Sequence, residues 1–240
     1  MIIAALFMAA TLSSSDAIAI LLNSKAASSK SKFAVAMEVV RRDAEAGKPL
    51  QQFVLGLTTE DKELSKRCIE ASREKITALA KSSSNPLAWY LLSVEENDVE
   101  LLRKAANGGN VQALNALGTY LMQSVIANKG TLSAEESKKL SSESFQCFRN
   151  AAIKRDPNGF INLGTCYLRG IGCRIDMSLA VECFRSAARA GHPEGMDNLS
   201  ACYELGHGVA KDPKTSLYWR MKARAARGDE AAAKWIEEGR

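Results

Sequence analysis

The chain has 240 residues, 46% hydrophobic and 25% charged, a balance that excludes an intrinsically disordered polymer. Its 32 Lys and Arg against 27 Asp and Glu leave a formal charge of +5. That excess is interleaved with acid, Lys62, Lys66, Arg67, Arg73 and Lys75 alternating with Glu60, Asp61, Glu63, Glu70 and Glu74, which is the pattern of a solvated helix face and not of a nucleic-acid footprint.

Met1 to Leu12 is almost wholly apolar and is followed by Ala17-Ile18-Ala19, a small-x-small site. Residues 1–19 therefore read as a signal peptide, too short to span a bilayer, although no Lys or Arg precedes the apolar run. The expected location is periplasmic or secreted, with no membrane contact in the mature form; the competing reading is a buried N-terminal helix of a cytoplasmic protein. Residues 20–32, rich in Ser and Ala, read as a linker.

From 33 to 109 the chain predicts degenerate helical repeats: Phe33 to Ala46, Leu50 to Leu57 with Gly56 near its end, Lys62 to Lys81, Pro86 to Ser93 and Asp98 to Ala106. Gly47-Lys48-Pro49 separates the first two, since glycine suits the residue past a helix end and proline the first helical turn.

The strongest signal lies further on. Leu163-Gly164-Thr165-Cys166-Tyr167-Leu168-Arg169-Gly170-Ile171-Gly172 returns as Leu199-Ser200-Ala201-Cys202-Tyr203-Glu204-Leu205-Gly206-His207-Gly208, 36 positions later. Cys147-Phe148 and Cys183-Phe184 keep the same interval, as do Asp176 and Asp212, each placed to cap a following helix. A period of this size marks units that bury their apolar faces only by stacking. The predicted fold is all-α, an α-solenoid of stacked antiparallel helix pairs over 110–228, divided at 110–156, 157–191 and 192–228, with 229–240 as a C-terminal capping half-repeat. Leu117-Gly118 precedes Leu163-Gly164 by 46 residues, so ten are inserted within Met122 to Ser142, either as an extended helix end or as an exposed loop.

No catalytic or metal motif accompanies the repeat, and no cofactor is expected. His192 and His207 both fall in glycine-flanked turns. The six cysteines include repeat-phased pairs, Cys147 with Cys183 and Cys166 with Cys202, which read as small core residues. Cys166 and Cys173 could meet only if the helix end bends back.

The run Leu199, Tyr203, Gly206, Gly208, Val209, Asp212, Trp219 and Ala223, with Leu163 to Gly191 nearly matching it, resembles the Sel-1-like repeat, a relative of the tetratricopeptide repeat. The resemblance implies a right-handed superhelix and a non-enzymatic adaptor that binds a protein or peptide on a concave face lined by the first helix of each pair. By analogy with the related repeat, that face would carry Asn115, Thr119 and Met122, then Asn158, Thr165 and Arg169, then Glu194, Asp197 and Glu204. The alternative the resemblance leaves open is a secreted, cysteine-containing solenoid with weak hydrolase or penicillin-binding activity. Ser200 in place of the close-packing glycine, Leu121 in place of tyrosine and Cys183 in place of the tryptophan depart from the pattern.

Overall fold

The computed structural model describes residues 17, 18, 21, 30–82 and 85–239, and among them every regular element is a helix. The segments read as a signal, 1–19, and as a linker, 20–32, lie outside the described residues except for 17, 18, 21 and 30–32. Two compact units divide the chain, residues 1–113 and 114–240.

The first unit contains α1 (Lys30–Glu45), α2 (Pro49–Thr58), α3 (Lys62–Ser82), α4 (Pro86–Glu96) and α5 (Val99–Asn107). Its core is built by Val39, Val40, Phe53, Val54, Ile76, Leu91 and Leu92, all almost fully buried. Pro49 and Pro86 open their helices, where a missing N–H goes unnoticed. The Asn85 and Asp98 side chains accept from the first free N–H groups of α4 and α5. Gly56 lies inside α2 and does not end it. A Cβ there would stand 2.7 Å from Ile69 Cγ1, and the Gly56 carbonyl accepts a 2.6 Å hydrogen bond from Ser65 Oγ of α3.

α6 (Val111–Ala127) begins in the first unit and runs into the second, which continues with α7 (Ala134–Ile153), α8 (Pro157–Arg169), α9 (Met177–Arg189), α10 (Pro193–Leu205), α11 (Pro213–Ala226) and α12 (Glu230–Glu237). Consecutive helices from α7 onward pack on one another, and the first helices α8 and α10 also touch. Gly170 and Gly206 close α8 and α10 with φ of 71° and 77°. Asp176 then accepts from Leu179 N at 2.9 Å and Asp212 from Thr215 N at 3.1 Å, starting α9 and α11 as the repeat predicts.

One arrangement recurs in several of the pairs. Phe148 of α7 lies against Gly118 of α6, a Cβ on which would be 2.6 Å from Phe148 Cε1, while Ser144 Oγ donates to the Gly118 carbonyl at 2.7 Å. Phe184 of α9 covers Gly164 of α8 in the same way, at 2.6 Å. Gly56, Ser65 and Ile69 repeat this trio in the first unit, so α2 and α3 are a helix pair of the same kind. In α10 and α11 the trio changes together. Ser200 replaces the glycine, Arg220 occupies the Phe184 position 36 residues on, and Ser200 Oγ bonds the Ser216 carbonyl at 2.8 Å. The departure at Ser200 is thus accommodated by removal of the aromatic ring that needed the glycine.

The ten inserted residues become helix. α6 runs to Ala127, and α7 starts at Ala134, seven residues ahead of Ser141, which is the counterpart of the α9 start at Met177. Ser133 and Glu136 form a reciprocal capping box that fixes this early start.

Candidate interaction face of the first helices

The nine residues assigned to the binding face all fall on first helices: Asn115, Thr119 and Met122 on α6, Asn158, Thr165 and Arg169 on α8, Glu194, Asp197 and Glu204 on α10. Arg169, Glu194 and Glu204 are exposed; the other six are half-buried. Four of the nine are already engaged within the chain. Asn115 Nδ2 donates to Asp156 Oδ2 at 2.8 Å, and Thr165 Oγ1 donates to the Ile161 carbonyl at 3.0 Å. Asp197 accepts from Arg227, and Glu204 accepts from Arg220 at 2.9 Å. Both ion pairs are solvent-accessible and each contributes at most about 1 kcal/mol. Chemically, they leave the Asp197 and Glu204 carboxylates partly neutralised. Among the described residues no hydrogen bond or ion pair involves the side chains of Asn158 or Arg169.

Three residues that belong with this face were not singled out by the repeat pattern: Asp156, His192 and Arg227. Asp156 and His192 stand 36 positions apart at the starts of α8 and α10, so the period could have found them. Asp156, buried, accepts from both Asn115 and Gly159 N. His192 is only 7% exposed, yet it makes no side-chain cap, and among the described residues neither ring nitrogen has a hydrogen-bond partner. Burial lowers the imidazole pKa below its ordinary value; the Glu194 and Asp156 carboxylates oppose the shift, and Arg227 adds to it.

The unfolded imidazole takes a proton near pH 6.5, whereas the folded one resists it, so stability contributed by His192 is complete above that pH and is lost as pH falls through the folded pKa. The expected result is that the native chain loses more unfolding free energy between pH 7.5 and 5 than His192→Asn, whose amide can also cap Gly195 N. Denaturant unfolding at the two pH values measures this, and equal losses in both proteins would refute it.

Burial raises the pKa of several thiols. Cys166, buried beside Phe148 and Leu163, is pushed up to about 12 by burial and by Cys173 and Cys183; Cys183 is pushed up to about 11 by burial and Glu182. Cys173 and Cys202 are raised by burial as well. A nucleophilic cysteine requires the opposite shift. The end of α8 does bend back, bringing Cys173 Sγ within 3.4 Å of the Cys166 carbonyl, and both remain free thiols. Among the described residues no three His, Cys, Asp or Glu side chains gather to hold a metal ion, and no helix is long and apolar enough to cross a membrane.

Residues 99–110, 161–192 and 193–219 match the model of one family, described as the Sel1 repeat. Among solved structures, a Sel1 repeat protein from Oxalobacter formigenes is similar at 27% identity, over 53% of this chain and 90% of that one, with a TM-score of 0.45. A protective antigen of uropathogenic Escherichia coli, described as displaying an SLR fold, is similar at 21% identity over 84% of this chain and 52% of its own, with a TM-score of 0.37. No curated protein matches the chain.

Proposed function

Because this chain carries Sel1 repeats, we propose that it is a non-enzymatic scaffold holding a peptide or protein against the first helices of its stacked pairs. Sel1 repeats typically serve protein interaction. The observation that carries the reading to these residues is the unengaged polar groups on α8: Asn158 and Arg169 offer donors and an acceptor that no described residue uses. Such groups on a rigid helix suit an extended backbone or an acidic side chain. The raised thiol pKa values support the non-enzymatic reading over the hydrolytic one.

Affinity capture from the proteome of the source cell tests it. Asn158→Ala combined with Arg169→Ala is expected to lower recovery of the specific partners at least about fivefold, the effect of removing one or two hydrogen bonds to the partner. Asp197→Asn and Glu204→Gln are the proper companions; reversal to Lys would set a second cation beside Arg227 or Arg220 and confuse lost binding with damaged structure. Unchanged partners at unchanged yield with the α8 double variant would remove the first-helix face from the function.

A further inference from the structure

The same glycine loop rests on the preceding pair twice in the second unit, and the first copy, beside the lengthened α7, lines a groove. A Cβ at Gly208 would stand 2.1 Å from the Met177 carbonyl oxygen, and one at Gly172 would stand 2.1 Å from that of Ser141, 36 residues earlier. Met177 begins α9, so beyond it the helix has nothing to offer. Ser141 instead lies two turns inside α7, because the insertion has lengthened that helix at its start. The extra turns and the loop border an open groove of about 610 Å³, lined among others by Ser137, Lys138, Ser141, Gly172, Cys173 and Arg174. That volume is in the range of ligand-binding clefts.

The charge in the groove is one-sided. Among the described residues Lys138 and Arg174, both exposed, form no ion pair. Of the carboxylates near the groove, Glu136 accepts from Ser133 N at 2.9 Å and from its hydroxyl at 2.6 Å, Asp176 caps Leu179, and Glu135 is exposed on the first turn of α7. In the next unit the positions of Cys173 and Arg174 are filled by Val209 and Ala210, so that loop carries no cation at the Arg174 position. The two cations come from different elements, one from the helix and one from the loop, and the cavity is larger than a single inorganic anion requires.

We propose that this groove binds an acidic peptide segment of a partner protein, its carboxylates held between Lys138 and Arg174 with the α7 serine hydroxyls beside them. The inference rests on the scaffold reading but adds a contact separate from Asn158 and Arg169.

The test uses the full chain and a fluorescein-labelled, acetylated hexaglutamate peptide, followed by anisotropy at low and moderate salt. Saturable binding that weakens with salt is expected, reduced about tenfold or more in Lys138→Ala/Arg174→Ala, a variant confined to exposed side chains and checked for unchanged helix content. Bound peptide should also slow alkylation of Cys173, which lines the groove, and leave Cys68 unaffected. No saturable binding, equal affinity in the double variant, or equal binding of hexaglutamine would each overturn the proposal. So would displacement of the peptide by inorganic phosphate at equal concentration, which would make the ligand a small anion. None of these results bears on the α8 face, which has its own variants.

Discussion

Gly208→Ala is expected to destabilise the second unit by about 3 kcal/mol or more, whereas Gly191→Ala should cost only about 1 kcal/mol. Both glycines have positive φ, 71° and 83°, so both substitutions bear the backbone cost of the left-handed region. They differ in surroundings. Around Gly191 a Cβ meets nothing within 4 Å, but at Gly208 it meets the Met177 carbonyl oxygen at 2.1 Å and the Ser178 nitrogen at 2.9 Å. Backbone atoms at the start of α9 cannot step aside as a flexible side chain could, so the loop must lift from the pair beneath it. Denaturant unfolding of the full chain measures both variants; equal losses would show that conformational freedom alone, and no close approach of loop to helix, selects glycine at 208.

That difference between two glycines marks how far a repeat pattern reaches. The 36-residue period is written into Leu163 to Gly172 and Leu199 to Gly208, and with it come the helix pairs, the Asp176 and Asp212 caps and the left-handed helix ends. Periodicity names positions; it does not say which atoms press on one another. The α2 and α3 pair is faint as sequence because Ile69 replaces the aromatic ring and the spacing from Gly56 to Ser65 is short, yet Gly56, Ser65 and Ile69 make the contacts of Gly118, Ser144 and Phe148. The insertion leaves loop and helix equally open until the Ser133 and Glu136 capping box decides for helix.

For the candidate face the limit is of another kind. Asn115, Asp197 and Glu204 read as free polar groups of the first helices, and each is met by a residue from elsewhere in the stack: Asp156, Arg227 and Arg220. Such pairings depend on where long side chains return after a turn, which a one-dimensional pattern does not encode. The groove at α7 is hidden for the same reason, since Lys138 and Arg174 belong to different units of the repeat and come together only because the lengthened helix passes beneath the loop.

Phe184→Ala is expected to cost about 3–5 kcal/mol, the usual loss for a large aromatic removed from a core that cannot collapse around the gap. Phe184 is 2% exposed and packs with Ala180, Val181, Met196 and Leu199, tying α9 to α10 as well as to Gly164 of α8. Its counterpart Arg220 is exposed, and Arg220→Ala should cost no more than about 1 kcal/mol, mainly the ion pair to Glu204. The contact with Gly164 gives the sharper check. Gly164→Ala alone drives a methyl to 2.6 Å from the ring and should destabilise. In the Phe184→Ala background the ring is gone, the methyl partly fills the space, and alanine recovers about 1 kcal/mol of helix propensity over glycine, so the same substitution should stabilise. Unfolding free energies of the two single variants and the double variant close the cycle. Additive losses would mean that the glycine on the first helix is not there to seat the ring, and the glycine-against-phenylalanine contact shared by Gly118 and Gly164 would lose its explanation.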